Sequence, residues 1–123
     1  MSSENEPLSI QQFQQLVREF AADRDWDQFH SPKNLAMALS VEVAEVIEHF
    51  QWLTEDQSRS LPEDKRKVIA EELADTFIYL VRLADKLDVD LLTAAEAKLA
   101  ANATAYPVDK AKGNAKKYTE FDK

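Results

Sequence analysis

The chain contains no cysteine, which excludes disulfides and thiolate metal sites. Glycine occurs once and proline four times among 123 residues, so few residues are suited to the tight turns of β-hairpins. Apolar residues make up 45% of the sequence, which is enough for one packed core in a chain of this length. The composition therefore favours one small all-α domain.

The chain also lacks a long apolar run and an excess of positive charge. Its first residues, MSSENEPLS, contain neither the basic stretch nor the apolar stretch of a signal peptide. No segment approaches the roughly 18 to 20 apolar residues that span a bilayer. The formal charge of −8 argues against a nucleic-acid-binding surface. We therefore expect a soluble cytoplasmic protein that binds neither membranes nor nucleic acids.

Hydrophobic spacing predicts four helices, which span about residues 10–22, 32–52, 62–87 and 91–105. Residues 54–58 are predicted to form a polar linker, and Tyr106-Pro107 is predicted to end the fourth helix. A serine or aspartate before each helix supplies an N-cap: Ser9, Ser31, Ser60 and Asp90. Two of these serines begin predicted capping boxes, Ser9 with Gln12 and Ser60 with Glu63.

Four helices with short connections predict a small antiparallel four-helix bundle over residues 9–106. A disordered lead of residues 1–8 precedes it, and a basic tail of residues 107–123 follows, with five lysines against three acids. The second helix is apolar or small on nearly every side, which predicts a dimer or a dimer of dimers. The third helix is expected to turn one apolar stripe inward: Val68, Ile69, Leu73, Phe77, Leu80 and Leu83.

Two acidic pairs interrupt the apolar segments. Glu42 and Glu45 are three residues apart, as are Glu72 and Asp75, and residues i and i+3 share a helix face. At a rise of about 1.5 Å per residue, Glu45 and Glu72 lie roughly 10 and 15 Å from the turn that joins their helices. Antiparallel packing therefore brings both pairs to a similar level. Carboxylates that converge in this way repel one another unless a cation or a proton lies between them.

Four carboxylates favour a hard cation, with Mg²⁺ the first choice and Mn²⁺ the second. A diiron bundle would need Glu-x-x-His pairs, and the residue three before His49 is Val46. A Mg²⁺ ion held by carboxylates on one side usually binds substrate phosphates. The pairs therefore predict a site that neutralises a polyphosphate and orients a water for attack on phosphorus. A single Glu-x-x-Glu in a helix is more typical of a solvated surface, and the second pair at a similar level favours the site.

The pattern Glu42-x-x-Glu45 followed by Glu72-x-x-Asp75 resembles the ExxE…ExxD signature of the MazG-like all-α nucleoside triphosphate pyrophosphohydrolases. The segments FAADRDWDQFHSPKNLAMAL, EHFQW, EELADTFIYLVRLA and YPVDKAKGNAKKYTEF resemble the dCTP pyrophosphatase branch of that family. The resemblance covers about residues 10–121. It implies Mg²⁺-dependent hydrolysis of a nucleoside triphosphate to the monophosphate and pyrophosphate, by a helical bundle that assembles as a tetramer built from dimers.

The resemblance also implies roles for individual residues. The catalytic residues and Mg²⁺ ligands would be Glu42, Glu45, Glu72 and Asp75. The base pocket would be lined by Trp26, Phe29, His30 and Trp52. Tyr79, one turn after Asp75, would point toward the nucleotide. Lys98 and Asn102 match the family stretch KxxxNxxxYP and would contact phosphate or sugar.

Two positions depart from the family pattern. Position 41 is valine, where many MazG-like members carry a further acid, and residues 103–105 read ATA, where relatives often carry basic residues. An extra metal ligand or base and a phosphate contact are therefore absent at these positions. The lysines at 110, 112, 116 and 117 could substitute for that contact.

We predict a Mg²⁺-dependent pyrophosphohydrolase for nucleotide-pool sanitation, acting on (d)NTPs and foremost on dCTP or modified pyrimidine nucleotides. The same chemistry on dUTP or noncanonical purine nucleotides stays open, as does a non-catalytic helical interaction module. The predicted pocket aromatics could also be core residues. The sequence leaves open the general base, the number of Mg²⁺ ions and the sharing of sites between subunits.

Overall fold

A computed structural model of the protein describes residues 6–121 and contains no β-strand in that range. The α-helices in the described chain are α1 Ile10–Asp23, α2 Pro32–Glu48, α3 Glu55–Ser58, α4 Glu63–Lys86, α5 Leu91–Ala105 and α6 Val108–Ala111. Two 3-10 turns, Asp27–Phe29 and Tyr118–Glu120, complete the regular structure. The all-α prediction is confirmed. None of the helices in residues 6–121 combines the length and the apolarity needed to cross a bilayer.

The chain divides into two compact units, the first ending at Val89 and the second beginning at Asp90. The predicted limits of the lead, the helical domain and the tail remain predictions. Of the predicted disordered lead at residues 1–8, residues 1–5 lie outside the described part of the chain.

Three of the predicted N-caps form. The Ser9 hydroxyl accepts a hydrogen bond from the Gln12 backbone N–H at 3.0 Å, and the Gln12 side-chain oxygen accepts one from the Ser9 backbone N–H at 2.8 Å. Ser31 caps α2 with Pro32 in the first turn, and Asp90 caps α5. Each side chain satisfies a backbone donor that the helix start leaves unpaired.

The predicted cap at Ser60 is wrong, because residues 54–58 form a helix of their own. Thr54 caps α3 through a capping box with Gln57. Ser60 then lies at the end of α3, where its backbone N–H donates to the Gln57 carbonyl at 3.3 Å. The helix α4 consequently begins after Pro62, which has no side-chain acceptor to offer.

Two of the helices end in left-handed residues other than glycine. Asp25 follows α1 with φ +55° and Asp88 follows α4 with the same value. In both cases the next residue's N–H bonds back to the helix, Trp26 to Ala21 and Val89 to Ala84, each at 2.9 Å. This is the Schellman arrangement, which reverses the chain direction sharply.

In the first unit, α1 and α2 both pack against α4. The His30 ring meets Arg82 near one end of α4, and His49 meets Glu72 further back, so α2 runs antiparallel to α4. The Phe13 ring stacks on Phe77 at 5.4 Å between centroids. Among the described residues, the buried apolar side chains are Ala21, Leu35, Ile69, Val81 and Ala84.

The apolar stripe of α4 is less buried than its periodicity suggests. Ile69 is buried, as expected, but Leu73, Phe77 and Leu80 are 54%, 40% and 37% exposed. The amphipathic pattern identifies a face that avoids water, but it does not specify which partner covers that face. Within the first unit, this part of the stripe lacks full cover.

The second unit consists of α5, α6 and the closing 3-10 turn. The Tyr106 ring meets Tyr118 and Phe121 edge-on, with centroids 5.9 and 5.8 Å apart. The helix α5 ends at Ala105, as the Tyr106-Pro107 pair predicts, and Pro107 is the N-cap residue of α6. Residues 107–121 therefore fold back so that Tyr118 and Phe121 pack on Tyr106, just after α5.

Candidate functional site

The helices α2 and α4 bring three glutamates together. Glu42 and Glu45 lie on one face of α2, and Glu72 lies on the facing part of α4. One carboxylate oxygen from each residue lies within 4.8 Å of the others. All three side chains are half-buried. The predicted convergence of acids from the two helices is therefore observed for these three.

Glu42 is the residue on which this crowding acts most strongly. Its Oε2 atom is buried and has no hydrogen-bond partner. Burial is the largest cause of a rise in the pKa of the Glu42 carboxyl to about 7, and the neighbouring acids Glu45, Asp75 and Glu72 contribute to the same rise. An ionised carboxylate without a partner is costly to bury. The cluster therefore favours a proton or a cation at Glu42.

Glu72 connects the cluster to a residue that sequence reasoning did not identify. The adjacent Glu45 carboxyl raises the pKa of Glu72, burial adds to the rise, and the His49 ring opposes it. The His49 Nε2 atom lies 3.9 Å from Glu72 Oε1. His49 follows Glu42 by seven residues, which is about two helical turns and hence the same face. That spacing was the available signal.

Asp75 lies at the margin of the cluster. It is exposed, and it is absent from the group of three whose oxygens converge. Its charge nevertheless raises the pKa of both Glu42 and Glu72. Its predicted role as a fourth metal ligand remains a prediction.

The predicted pocket residues Trp26, Phe29 and His30 lie in the connection between α1 and α2. The Schellman turn after α1 presents Trp26, whose ring meets Phe20 edge-on at 5.7 Å and His30 at 6.3 Å. Phe29 is exposed and Tyr79 is half-buried. Trp52 is 87% exposed, which excludes a core role for it within the single chain. The assignment of these residues to a base pocket remains a prediction.

Comparison with known proteins identifies the family. A family model described as MazG-like matches residues 37–121, which is more than half of the chain. The chain belongs to the MazG-like family. It is 44% identical over 115 residues to dCTP pyrophosphatase 1 of Mus musculus, covering 92% of this chain and 68% of the relative. Identity to the Homo sapiens protein of the same name is 42%, with the same coverage.

A solved structure supports the same conclusion for the MazG-like fold. A pyrophosphatase from Archaeoglobus fulgidus superposes on this chain with a TM-score of 0.76 and 34% sequence identity. The match covers 85% of this chain and 97% of that one. The predicted MazG-like all-α architecture is therefore confirmed.

The three glutamates of this MazG-like chain could hold a metal ion. Their ligand atoms are all carboxylate oxygens, which suit hard cations such as Mg²⁺ and Mn²⁺. The buried Oε2 of Glu42 is also an acceptor without a hydrogen-bond partner, and a cation could bind to it. The donor set and the unpaired oxygen thus both fit a metal.

The remaining predicted residues of the MazG-like pattern lie on α5. Lys98 and Asn102 are four residues apart, hence on one face of that helix, and both are exposed. They belong to the second compact unit. Their predicted contacts with phosphate or sugar remain predictions.

Sequence reasoning missed Arg82 as well as His49. Arg82 is 4% exposed and lies in the apolar last third of α4, yet it bonds to the connection that carries the predicted pocket residues. An arginine in a helix is usually exposed to solvent, so the sequence position of Arg82 does not indicate that it is buried. Its two partners in that connection, His30 and Asp27, are 52 and 55 residues away in the sequence.

Proposed function

We propose that this chain hydrolyses dCTP, or modified pyrimidine nucleoside triphosphates, to the monophosphate and pyrophosphate in a Mg²⁺-dependent reaction of the cytoplasmic nucleotide pool. The coarser conclusion, that it is a nucleotide pyrophosphatase, rests on its MazG-like family and on relatives named dCTP pyrophosphatase 1. The observation that supports the proposal most directly is the buried, unpaired Oε2 of Glu42 beside two further glutamates.

Glu42, Glu45 and Glu72 would hold the metal. A Mg²⁺ ion supplies charge neutralisation for the phosphate oxygens and for the charge that develops on them during hydrolysis. Glu45 adjoins both other acids, as its influence on their pKa values indicates. It is therefore the residue whose loss should disturb the cluster most.

The decisive substitution is Glu45→Gln. We expect it to lower pyrophosphate release from dCTP by roughly 100-fold or more, since the amide keeps the side-chain shape but loses the charge that attracts the cation. The matched control is Glu48→Gln, because Glu48 lies on the same helix and is exposed outside the cluster. Circular dichroism should show both variants folded. Retained activity in Glu45→Gln would refute the glutamate site.

The substrate is tested with a panel of nucleotides. We expect kcat/KM to be highest for dCTP or a modified pyrimidine triphosphate, with dUTP and noncanonical purine nucleotides below it. A purine or dUTP preference would replace the proposed substrate while keeping the chemistry. Absence of turnover for every nucleotide, together with no thermal stabilisation by Mg²⁺ or Mn²⁺, would favour the non-catalytic interaction module.

We also propose that the chain works as a homo-oligomer, either a dimer or a dimer of dimers. The exposed part of the α4 stripe supports this proposal, since Leu73, Phe77 and Leu80 are a third to a half exposed. Burial of this apolar surface against another subunit would favour assembly.

A further inference from the structure

Arg82 is a buried cation whose three donor groups all have partners. Its Nε donates to His30 Nδ1 at 3.1 Å, one terminal nitrogen donates to Asp27 at 2.7 Å, and the other lies 3.3 Å from Asp85. The guanidinium therefore links α4 to the 3-10 turn and to His30, which precedes the N-cap of α2. Burying an arginine is costly unless its charge is paired and its nitrogens form hydrogen bonds in this way.

The bond to His30 determines where the imidazole carries its hydrogen. A guanidinium has five N–H donors and no acceptor. The His30 Nδ1 atom that faces it must therefore be unprotonated, because two donors cannot share a hydrogen bond. A neutral imidazole with a bare Nδ1 carries its hydrogen on Nε2. The free side of the ring is then a hydrogen-bond donor.

The surrounding charges favour the same state. Facing His30 are Arg82 and Lys86 from α4, and Asp27 from the adjoining turn, where Asp27 accepts from both cations. Asp85 is engaged by Arg18 of α1, at 2.6 Å, as well as by Arg82. Burial lowers the pKa of His30, the Arg82 and Lys86 charges lower it further, and Asp27 opposes them.

We propose that Arg82 is a positioning residue for the nucleobase, which fixes the His30 ring with its hydrogen on Nε2 and so offers one donor to an acceptor atom of the base. The nucleobase part of this inference rests on the proposed function. The acceptors in question are carbonyl oxygens and bare ring nitrogens, such as O2 and N3 of cytosine. Amino groups of a base cannot bond to this nitrogen, because both sides would donate.

The location of the pair is compatible with such a role. Arg82 follows Glu72 by ten residues, which is about 15 Å along the α4 axis. His30 also contacts Trp26, an exposed aromatic ring on which a base could stack. One helix thus carries a residue of the acidic cluster and, further along, the residue that orients His30.

The tautomer is tested without any substrate. Long-range ¹H–¹⁵N NMR of the full chain resolves both imidazoles, since the chain has only His30 and His49, and a His30→Gln variant assigns the signals. We expect His30 to be the Nε2–H tautomer and to titrate below the ordinary histidine pKa of about 6.5. In Arg82→Met, its pKa should rise and the tautomer preference should weaken. A wild-type His30 with hydrogen on Nδ1 would overturn the inference, as would an unchanged His30 in Arg82→Met.

A matched variant separates positioning from stability. Arg18→Met removes another cation of the same network without touching His30. It should lower the melting temperature but leave the His30 tautomer unchanged. If Arg82→Met does not fold, Arg82→Lys is the second variant. It keeps the charge but loses the planar guanidinium, so the preference of His30 for the Nε2–H tautomer should weaken there as well.

Kinetics tests the role toward the base. Arg82→Met and His30→Asn should each raise KM for dCTP about tenfold, the effect of losing one ordinary hydrogen bond, with kcat changed far less. Asparagine can still accept from Arg82 but has no donor at the Nε2 position. The amide of His30→Gln can reach that position, so its KM should rise less than that of His30→Asn.

The outcomes separate the two proposals. If the wild type hydrolyses no nucleotide, the proposed function fails, while NMR still decides the Arg82–His30 pairing. If the wild type is active and neither Arg82→Met nor His30→Asn changes KM, the role toward the base is refuted.

Discussion

Glu42 shows how one side chain can be unfavourable for the apoprotein and useful in the complex. Its Oε2 is buried and unpaired, although other acids surround it. Ionising it in that environment is opposed by burial and by like charges. A cation would reverse both effects, because it attracts the carboxylate and is attracted by its neighbours. The same residue should therefore lower stability without metal and raise it with metal.

This reasoning gives a pH dependence whose sign is fixed. Since the pKa of Glu42 is raised from 4.5 to about 7 in the folded chain, the folded state binds its proton more tightly than the unfolded state. Its contribution to stability is then full below pH 4.5 and is lost as the pH rises through about 7. In EDTA at pH 8, Glu42→Gln should melt at a higher temperature than the wild type because the buried charge is gone. The increase should be roughly 4 to 8 °C for each kcal/mol gained in the free energy of unfolding.

Adding Mg²⁺ should reverse the order, with the wild type gaining more than the variant. Scanning calorimetry at pH 4.5 and pH 8, with and without metal, measures both effects. Glu48→Gln is the control, since Glu48 lies outside the cluster. Equal melting temperatures for the wild type and Glu42→Gln at pH 8 in EDTA would contradict the assignment.

At the scale of the helices, capping decides where the elements begin. Ser31 accepts a hydrogen bond from the Asn34 backbone N–H at 3.1 Å at the start of α2, whereas Ser60 lies at the end of α3 and caps nothing. The start of α2 matters for the site because His30 immediately precedes the capping residue. Loss of this cap would loosen the connection that carries the predicted pocket.

These two serines form a matched pair for experiment. Ser31→Ala should lower the free energy of unfolding by about 1 kcal/mol, because one backbone donor of α2 loses its acceptor. Ser60→Ala should change it by less than about 0.5 kcal/mol. Urea denaturation of both variants measures the difference. Similar losses in the two would show that Ser60 caps α4 after all.

Local signals explain which elements could be predicted. The starts of α1, α2 and α5 follow from caps and apolar spacing, which act over a few residues. The four-residue α3 is too short to show a hydrophobic period, so the sequence predicts a linker there, and the start of α4 lies after Pro62 without the predicted cap. The convergence of Glu42, Glu45 and Glu72 was predictable because antiparallel packing and helix rise fix their level.

The contacts that depend on distant partners were not predictable in this way. Arg82 has two of its three partners, His30 and Asp27, in the connection before α2, and the nearby Asp85 does not indicate that Arg82 reaches them. The helical spacing of apolar residues also predicts an inward stripe on α4, but it does not show that part of this stripe is exposed. Periodicity specifies a face, and only the assembled chain shows what that face meets.

At the scale of the whole molecule, the exposed stripe of α4 predicts self-association. The wild type should elute in light-scattering chromatography with a mass at least twice that of the 14.0 kDa chain. Leu73→Lys places a charge in the stripe and should shift the mass toward the monomer, since an unpaired charge is costly to bury. Glu71→Lys adds a lysine two residues away at an exposed acidic position and should leave the mass unchanged. A monomeric wild type would refute the oligomer.

The placement of Glu72 and Arg82 on one uninterrupted helix has a consequence for turnover. Because α4 is continuous from Glu63 to Lys86, the spacing between the acidic cluster and the His30 ring is as rigid as the helix. A triphosphate that engages both ends gains from the linkage between its two contacts, since the second forms at high effective concentration. Cleavage divides that linkage, leaving the monophosphate with one contact and pyrophosphate with the other. In the proposed reaction, each product would then be held more weakly than the substrate, and the fixed length of α4 would favour product release.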